Sequence, residues 1–561
     1  MELPREISAK RGLSLSYKGK ILLSKVDPIG QAEKIIQSLD VKERTLYLCP
    51  SPLYGYGLSH LLDRIHKSSA VLCVEADKHL FDIALKSINC KDPRFHFALV
   101  EPSAASAGAA SAGAVPADSG SVAKEAAQEV CSLVNKIWEE HSFQRIELIR
   151  LNGGWQLYPE HYESIKDLLQ KDISLKWTNT MIMIRLGRLY IKNTIRNLSL
   201  LPKSRDISLL NFHEAPILVL GAGPSADLIL DKISLYKKTN KRPFRIICVD
   251  SCLTLLKERG IEPDLAVILE SQHVNLRSFL NSKQWGVKTL VDLSSLPLSA
   301  TILGSDYYFG FTPWTSLKIF KRLEAAGLLP VTLTPLGSVG LTAVELALKF
   351  GSGPVVTAGI DFSYNLDSSY SRSSPVHLSR LVNNNCFNSL LNADNAFRKG
   401  TYTLKSKSGH TVRTDPVMMN YRNLYENEFG SNPRLFDISG PGLFLGTNTI
   451  AADKVFDLLN TSAASAGLFV SGEKVHISSE QVVDFVTGEI GIINEIKNIL
   501  SGNIPLDELR LDKLLDDADY LWAHFPDYRQ QIGAKDLSFY KRVRMEIEPF
   551  LKLWDMTLKS L

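Results

Sequence analysis

No uncharged apolar run in the 561-residue chain reaches the roughly 18 residues that a membrane-spanning helix needs, so no span is expected. The first residues, MELPREISAKRG, place charges where a secretory signal would need an apolar core. An excess of one charge is also missing. Lys and Arg total 64 against 60 Asp and Glu, a net charge of +4, whereas dedicated nucleic-acid binders concentrate basic charge. Cysteine is scarce and scattered, with seven in all. Only Cys248 and Cys252 lie close together, with no His or Cys nearby to complete a metal set, so buried free thiols are expected and no metal site. These absences predict a cytoplasmic protein without a nucleic-acid partner.

What is present fits a folded multidomain chain. Apolar residues make up 45% and charged residues 22%, and 561 residues exceed what one core usually organises. Residues 1–174 read as a first α/β domain, with strand-like TLYLCP, AVLCVEAD, FHFALVE and RIELIRL around a helical LSHLLDRIHKS. Its first turn resembles the S-adenosylmethionine-binding turn of methyltransferases. Cys49, Pro50 and Ser51 stand where the early glycines belong, and only Gly55 and Gly57 remain, so a methyltransferase-like sheet without its cofactor is expected. The stretch 102–121 is nearly all Ala, Ser, Gly and Pro and reads as a flexible insertion, and SAASAG recurs at 462–467.

A connecting helix is expected over 175–204, with a basic face carrying Arg185, Arg188, Lys192 and Arg196. Strand–helix alternation returns in a central domain over 205–455. Its strands are predicted at PILVL, RIICV, LAVILE, TLVDL, YYFGF, VTLT and PVVTAG. Residues 470–561 carry three amphipathic segments and predict a helical C-terminal domain, with a capping box at Ser478 and Gln481. The fold class is therefore α/β: a Rossmann-like central domain, a second α/β domain before it and helices after it.

Two stretches of the central domain carry candidate chemistry. In PILVLGAGPSADL (216–228) a strand runs into Gly221, Gly223, Pro224 and Ser225 and then into a helix. Glycines permit a tight turn and close approach, Pro224 suits a first helical turn, and a helix N-terminus offers N–H groups to an anion. The next strand ends in Asp250, placed to accept hydrogen bonds from a ribose. In the second stretch (334–371), Gly337 and Ser338 open a helix that Gly351 closes. The following strand ends in Gly359-Ile360-Asp361-Phe362, with Tyr364, Tyr370 and His377 just beyond.

GAGPS, GSVGLTAVELALKFGSGPVVTAGIDF and the tyrosine-rich tail resemble the bacterial sialyltransferases of Rossmann-type fold. With DSCLTLLKERGIEPDLAVILES (250–271) and VRTDPVMMNYRNLYE (412–426) they resemble more closely the motility accessory factor family of flagellin glycosyltransferases. The resemblance implies transfer of a sialic-acid-like nonulosonic sugar, of pseudaminic or legionaminic type, from a CMP-activated donor to Ser or Thr of flagellin. It implies a donor substrate without a further cofactor, and flagellin as partner. Gly221, Gly223, Pro224 and Ser225 would cradle the phosphate, Asp250 the ribose, and Gly337 and Ser338 the cytidine or sugar carboxylate. Tyr364 and Tyr370 would assist the departing phosphate, His377 would be the base, and Asp361 is a further candidate catalytic residue, with support of the strand end as its structural alternative. Archaeal pterin diphosphokinases share a similar glycine-rich core. On that resemblance Asp250, Asp264, Glu270 and Asp292 would hold Mg²⁺ for ATP. A flagellin-binding assembly factor without catalysis is the third alternative.

Overall fold

The protein is described by a computed structural model covering residues 3–102, 134, 143–235, 242–366, 368–387, 394–460, 477–525 and 536–561. The insertion beyond Pro102 and the echo at 462–467 lie outside the described residues. The fold is α/β, built on two parallel sheets. The chain forms two compact units, Met1–Arg185 with His524–Tyr540, and Leu186–Ala523 with Lys541–Leu561.

The first unit opens with a three-stranded antiparallel sheet, β1 (Arg5–Ser8), β2 (Leu13–Tyr17) and β3 (Lys20–Ile21). A four-stranded sheet follows, β4 (Thr45–Pro50), β5 (Ala70–Glu75), β6 (Phe95–Leu99) and β7 (Arg145–Leu148), in the order β6-β5-β4-β7 with every pair parallel. β4 and β5 are buried along their whole length, as strands covered on both faces must be, and this is why their sequences do not alternate. The acid that ends β5, Glu75, is fully buried. One oxygen accepts from the Ser51 hydroxyl at 2.7 Å, and the other from the Ala76 and Asp77 N–H groups and the Tyr162 hydroxyl at 2.9–3.1 Å. Burial raises its pKa to about 7. The carboxylate that a methyltransferase would turn to a ribose is here enclosed by the protein's own donors.

One helix, Pro159–Ile182, crosses the expected 174/175 boundary. It passes through a five-residue π-type stretch, Met183–Gly187, and resumes as Arg188–Leu198. The second unit's sheet has eight strands, all pairs parallel: β8 (Ile217–Leu220), β9 (Arg245–Val249), β10 (Leu265–Ile268), β11 (Thr289–Asp292), β12 (Tyr307–Gly310), β13 (Val355–Ala358), β16 (Leu435–Ile438) and β17 (Asn448–Ile450). The hairpin β14 (Tyr402–Lys405) and β15 (Thr411–Thr414) stands apart from it. The sheet order is β12-β11-β10-β9-β8-β13-β16-β17. The chain thus starts in the middle, steps outward through β9 to β12, and returns to β13 on the other side of β8. Such a reversal opens a crevice at the carboxyl ends of the strands, where open α/β sheets bind ligands. The strand expected at VTLT is reduced to a single bridge, Phe311 to Thr332.

The C-terminal helices Ser479–Leu500 and Glu508–Asp517 belong to this second unit. The capping box at Ser478 and Gln481 is present. Val482, Val486, Ile493 and Ile496 are fully buried, so the apolar stripe of the long helix is used within the protein. Buried Glu489 accepts from Arg322 at 2.7 and 3.0 Å and from the Tyr520 hydroxyl at 2.9 Å, which fixes these helices on the Lys318–Ala325 helix.

Candidate functional site

The turn after β8 is built against the turn after β13. Gly359 holds φ at +75°, and a Cβ there would lie 2.0 Å from the Gly221 carbonyl oxygen. A Cβ on Gly223 would lie 2.4 Å from Asp361 Oδ2 and 2.7 Å from the Gly359 oxygen. The N–H groups that looked available to a phosphate are engaged. Gly221 donates to Ala358 O at 2.8 Å, Gly223 to Gly359 O at 2.9 Å, and Ser225 to Asp361 Oδ2 at 2.9 Å. The Ser225 hydroxyl accepts from Gly359 N–H at 2.7 Å. The short helical turn Pro224–Ala226 does begin with proline, but the anion at its N-terminus is the protein's own Asp361 carboxylate.

Beside this junction lies a cavity of about 380 Å³, within the range of small-molecule sites. Asp250 and Ser251 after β9, and Leu269 to Ser271 after β10, form one part of its wall. The His273–Phe279 turn supplies Val274, Asn275, Arg277 and Ser278. Gly337 and Val339 come from the start of the Val339–Phe350 helix, Tyr370 from the loop beyond β13, Ser374 to Val376 from the N-terminus of the Pro375–Val382 helix that follows it, and Tyr190 from the Arg188–Leu198 helix. Of the predicted site residues the structure therefore brings Asp250, Gly337 and Tyr370 together on one wall. Gly221, Gly223, Pro224, Ser225, Ser338, Asp361, Tyr364 and His377 are not among the lining residues.

Those outside the wall have visible work. Ser338 is the N-cap residue of its helix, without a side-chain capping bond. Asp361 is buried, and its Oδ1 has no hydrogen-bond partner. Next to it, Phe362 holds φ at +47°, a conformation that costs a non-glycine residue energy. Its ring is kept in place between Tyr421 and Tyr425, each with its centroid 6.3 Å away. The Tyr364 hydroxyl, expected on the leaving phosphate, donates instead to Asp415 Oδ2 at 3.0 Å, and Arg398 donates to both groups. Asp415 also caps the Pro416–Phe429 helix through the Val417 and Met418 N–H groups at 2.9 Å. His377 lies in the first turn of the Pro375–Val382 helix, where its N–H donates to the Ser374 hydroxyl, and its Nδ1 is buried without a partner.

The glycine turn is coupled to the loop that carries Tyr370. Ser371 N–H donates to Ala222 O at 2.8 Å, and the Ser371 hydroxyl donates to Asp227 Oδ1 at 2.5 Å. On the far wall, Asn193 donates its amide to the Ser271 and Ser294 carbonyls at 3.0 and 3.1 Å, and Asn197 one turn later does the same for Leu293 and Ser295. Both asparagines are buried, and they staple Tyr190's helix to the ends of β10 and β11. Tyr190, Ser271, Asn275, Arg277 and Ser278 were not anticipated from sequence. Glu270, named above for Mg²⁺ on the diphosphokinase alternative, also lines the cavity, and Ser271 had a signal as a hydroxyl directly after that acid at a strand end. Tyr190 had none, because its place depends on how one helix lies over a sheet edge.

Asp250 is buried, and burial raises its pKa to about 6. The Ser251 N–H and the nearby Asn275 amide pull it down, Glu270 pushes it up, and Arg277 lowers it. A raised folded-state pKa means that the unfolded chain loses this proton first. Stability therefore falls as pH rises from about 4 to about 6 and is level above that. Asp250→Asn removes the effect. Its stability relative to the unsubstituted protein should improve across that window by an amount of order 3 kcal/mol, at about 1.4 kcal/mol per unit. Urea unfolding of both proteins at pH 4 and pH 7 checks this, and an unchanged gap would show that the Asp250 pKa is the same in the folded and unfolded chains.

Fold and site together define an open, doubly wound α/β protein with a polar small-molecule cavity at the carboxyl edge of its central sheet. Residues 192–367 match the family described as 6-hydroxymethylpterin diphosphokinase MptE-like. A protein of Treponema pallidum (strain Nichols), described as uncharacterized, is 28% identical over 591 residues, spanning 100% of this chain and 96% of that protein. Among solved structures, MAf glycosyltransferase from Magnetospirillum magneticum AMB-1 aligns with a TM-score of 0.54 at 14% identity, over 98% of this chain and 88% of that one. That likeness shows a shared fold along nearly the whole chain.

Proposed function

We propose that the cavity binds a CMP-activated nonulosonic sugar and that the protein transfers this sugar to Ser or Thr hydroxyls of flagellin. The observation that carries the proposal is the meeting of Asp250, after β9, and Tyr370, on the chain beyond β13, on one cavity at the carboxyl ends of the strands. At neutral pH the Asp250 carboxylate accepts from the ribose hydroxyls. The anomeric carbon of such a sugar is tertiary and electron-poor, so its bond to the phosphate breaks largely before the acceptor oxygen bonds. The main catalytic demand is then to stabilise the departing phosphate, a task this proposal gives to the Tyr370 hydroxyl. The acceptor hydroxyl attacks the opposite face, inverting the centre. In this proposal His377, beside the wall formed by Ser374 to Val376, takes the acceptor's proton. The likeness in fold to a structure titled a glycosyltransferase supports the reading.

A second reading, diphosphate transfer from ATP to a pterin, is favoured by the match over 192–367. It needs carboxylates gathered around Mg²⁺ and phosphates. Asp250 and Glu270 share the cavity, but Asp264 lies at the opposite end of the sheet, held by Arg242 and Arg245. Asp292 is buried and accepts from Ser294 and Thr312. Calorimetry with CMP and with ATP plus Mg²⁺ separates the readings, and binding of neither would point to a non-catalytic flagellin-binding factor. The intact mass of flagellin made with and without this protein tests the transfer. An unchanged mass would overturn it.

A further inference from the structure

We propose that Arg277 binds the phosphate of the nucleotide held in this cavity, in place of the glycine turn after β8. The inference rests on the nucleotide-donor reading above. Three observations lead to it. First, the N–H groups of Gly221, Gly223 and Ser225 already donate to Ala358 O, Gly359 O and Asp361, so that turn has little left for a ligand phosphate. Second, the cavity wall carries two carboxyl groups, Asp250 and Glu270, and an anionic ligand beside them needs a cation. Among the described residues lining the cavity, Arg277 is the one cation. Third, Arg277 is exposed, and among the described residues it makes no hydrogen bond through its side chain and pairs with no carboxylate. Most other arginines of this unit are committed, as Arg322 is to Glu489 and Arg434 to the carbonyls of Leu348, Gly351 and Gly353.

The turn that carries it is held in shape independently of any ligand. Ser278 donates its hydroxyl to Asn275 Oδ1 at 3.0 Å, and Thr254 donates to the Ser278 carbonyl at 3.3 Å. The guanidinium is near enough to Asp250 to favour its ionised form. One residue thus bears on both ends of a nucleoside monophosphate: its charge favours ionisation of the ribose acceptor, and its planar paired donors are offered to the phosphate.

The test compares CMP with cytidine on the full-length protein, on Arg277→Gln and on Arg277→Lys, by calorimetry, with a melting curve for each. The unsubstituted protein is expected to prefer CMP. In Arg277→Gln that preference should shrink by roughly 10- to 100-fold, the range of one charge-assisted hydrogen bond, with cytidine affinity unchanged. Arg277→Lys should retain part of it. An unchanged preference in Arg277→Gln, or equal weakening of both ligands, overturns the assignment. AMP and adenosine run as a parallel pair keep the two ideas apart. If only the adenine pair binds, and Arg277→Gln abolishes its phosphate preference, the Arg277 assignment stands and the CMP reading falls. If no nucleotide binds, both fall.

Discussion

Replacing Gly359 by valine is expected to destabilise the second unit by roughly 2–6 kcal/mol, the combined scale of left-handed backbone strain and overpacking. The backbone at Gly359 sits at φ +75°, where a β-branched residue is a severe misfit. Its new Cβ would also lie 2.0 Å from the Gly221 oxygen and 2.6 Å from the Gly221 carbonyl carbon, and neither backbone atom can turn aside as a flexible side chain would. The clash is reciprocal, since a Cβ on Gly221 would lie 2.2 Å from the Gly359 oxygen. The two turns follow β8 and β13, the hydrogen-bonded neighbours at which the sheet order reverses, so the damage falls on the centre of the sheet. Hydrogen exchange of the amides of Ile217–Leu220 and Val355–Ala358 should quicken strongly, and the melting temperature should drop. A variant with native exchange at these amides would show that the turns can separate without cost. Gly223→Val should act in the same way, because its Cβ meets Asp361 and Gly359 before it meets any ligand.

In the proposed transfer, removal of the Tyr370 hydroxyl should lower turnover by roughly 10²–10³-fold, the scale of losing one transition-state donor. Tyr370 lines the cavity, and its loop is anchored by Ser371 to Ala222 and Asp227, so phenylalanine can occupy the same place. Donor affinity should change far less than turnover, because the donated hydrogen bond strengthens only as negative charge develops on the leaving phosphate. Tyr364→Phe provides the contrast. Its hydroxyl is spent on Asp415 and shared with Arg398, so its loss should cost about 0.5–1.5 kcal/mol of stability, the net worth of one hydrogen bond. Turnover should fall much less than in Tyr370→Phe. Release of CMP from the donor in the presence of flagellin measures both variants. Native turnover in Tyr370→Phe, or an equal loss in Tyr364→Phe, would remove the distinction drawn between the two tyrosines.

Much of the architecture could be read directly from residue order. Continuous apolar runs such as PILVL and RIICV are buried strands because both faces of a parallel sheet are covered, and burial of that kind is legible as composition. The capping box at Ser478 and Gln481 and the acid at Asp250 were equally visible, since each depends on spacing of a few residues. VTLT satisfies local strand propensity whether or not a neighbour pairs with it, and its pairing is limited to one bridge, in which Val331 O and Leu333 N–H bond to Phe311 on either side of Thr332.

The site divides along the same line. By itself the sequence determined the two glycine turns, the acid after β9 and the tyrosines beyond β13, all features of strand ends that local chemistry dictates. Only the tertiary structure decided what each of them faces. The glycines prove to make room for one another's backbone, the Ser225 N–H is taken by Asp361 Oδ2, and Tyr364 turns to Asp415. Asp250, Glu270, Arg277, Tyr190 and Tyr370 share one cavity although up to 180 residues separate them along the chain. The reason is physical: a hydrogen bond or a steric gap is a relation between groups brought together by sheet order, and sheet order arises from burial summed over the whole unit.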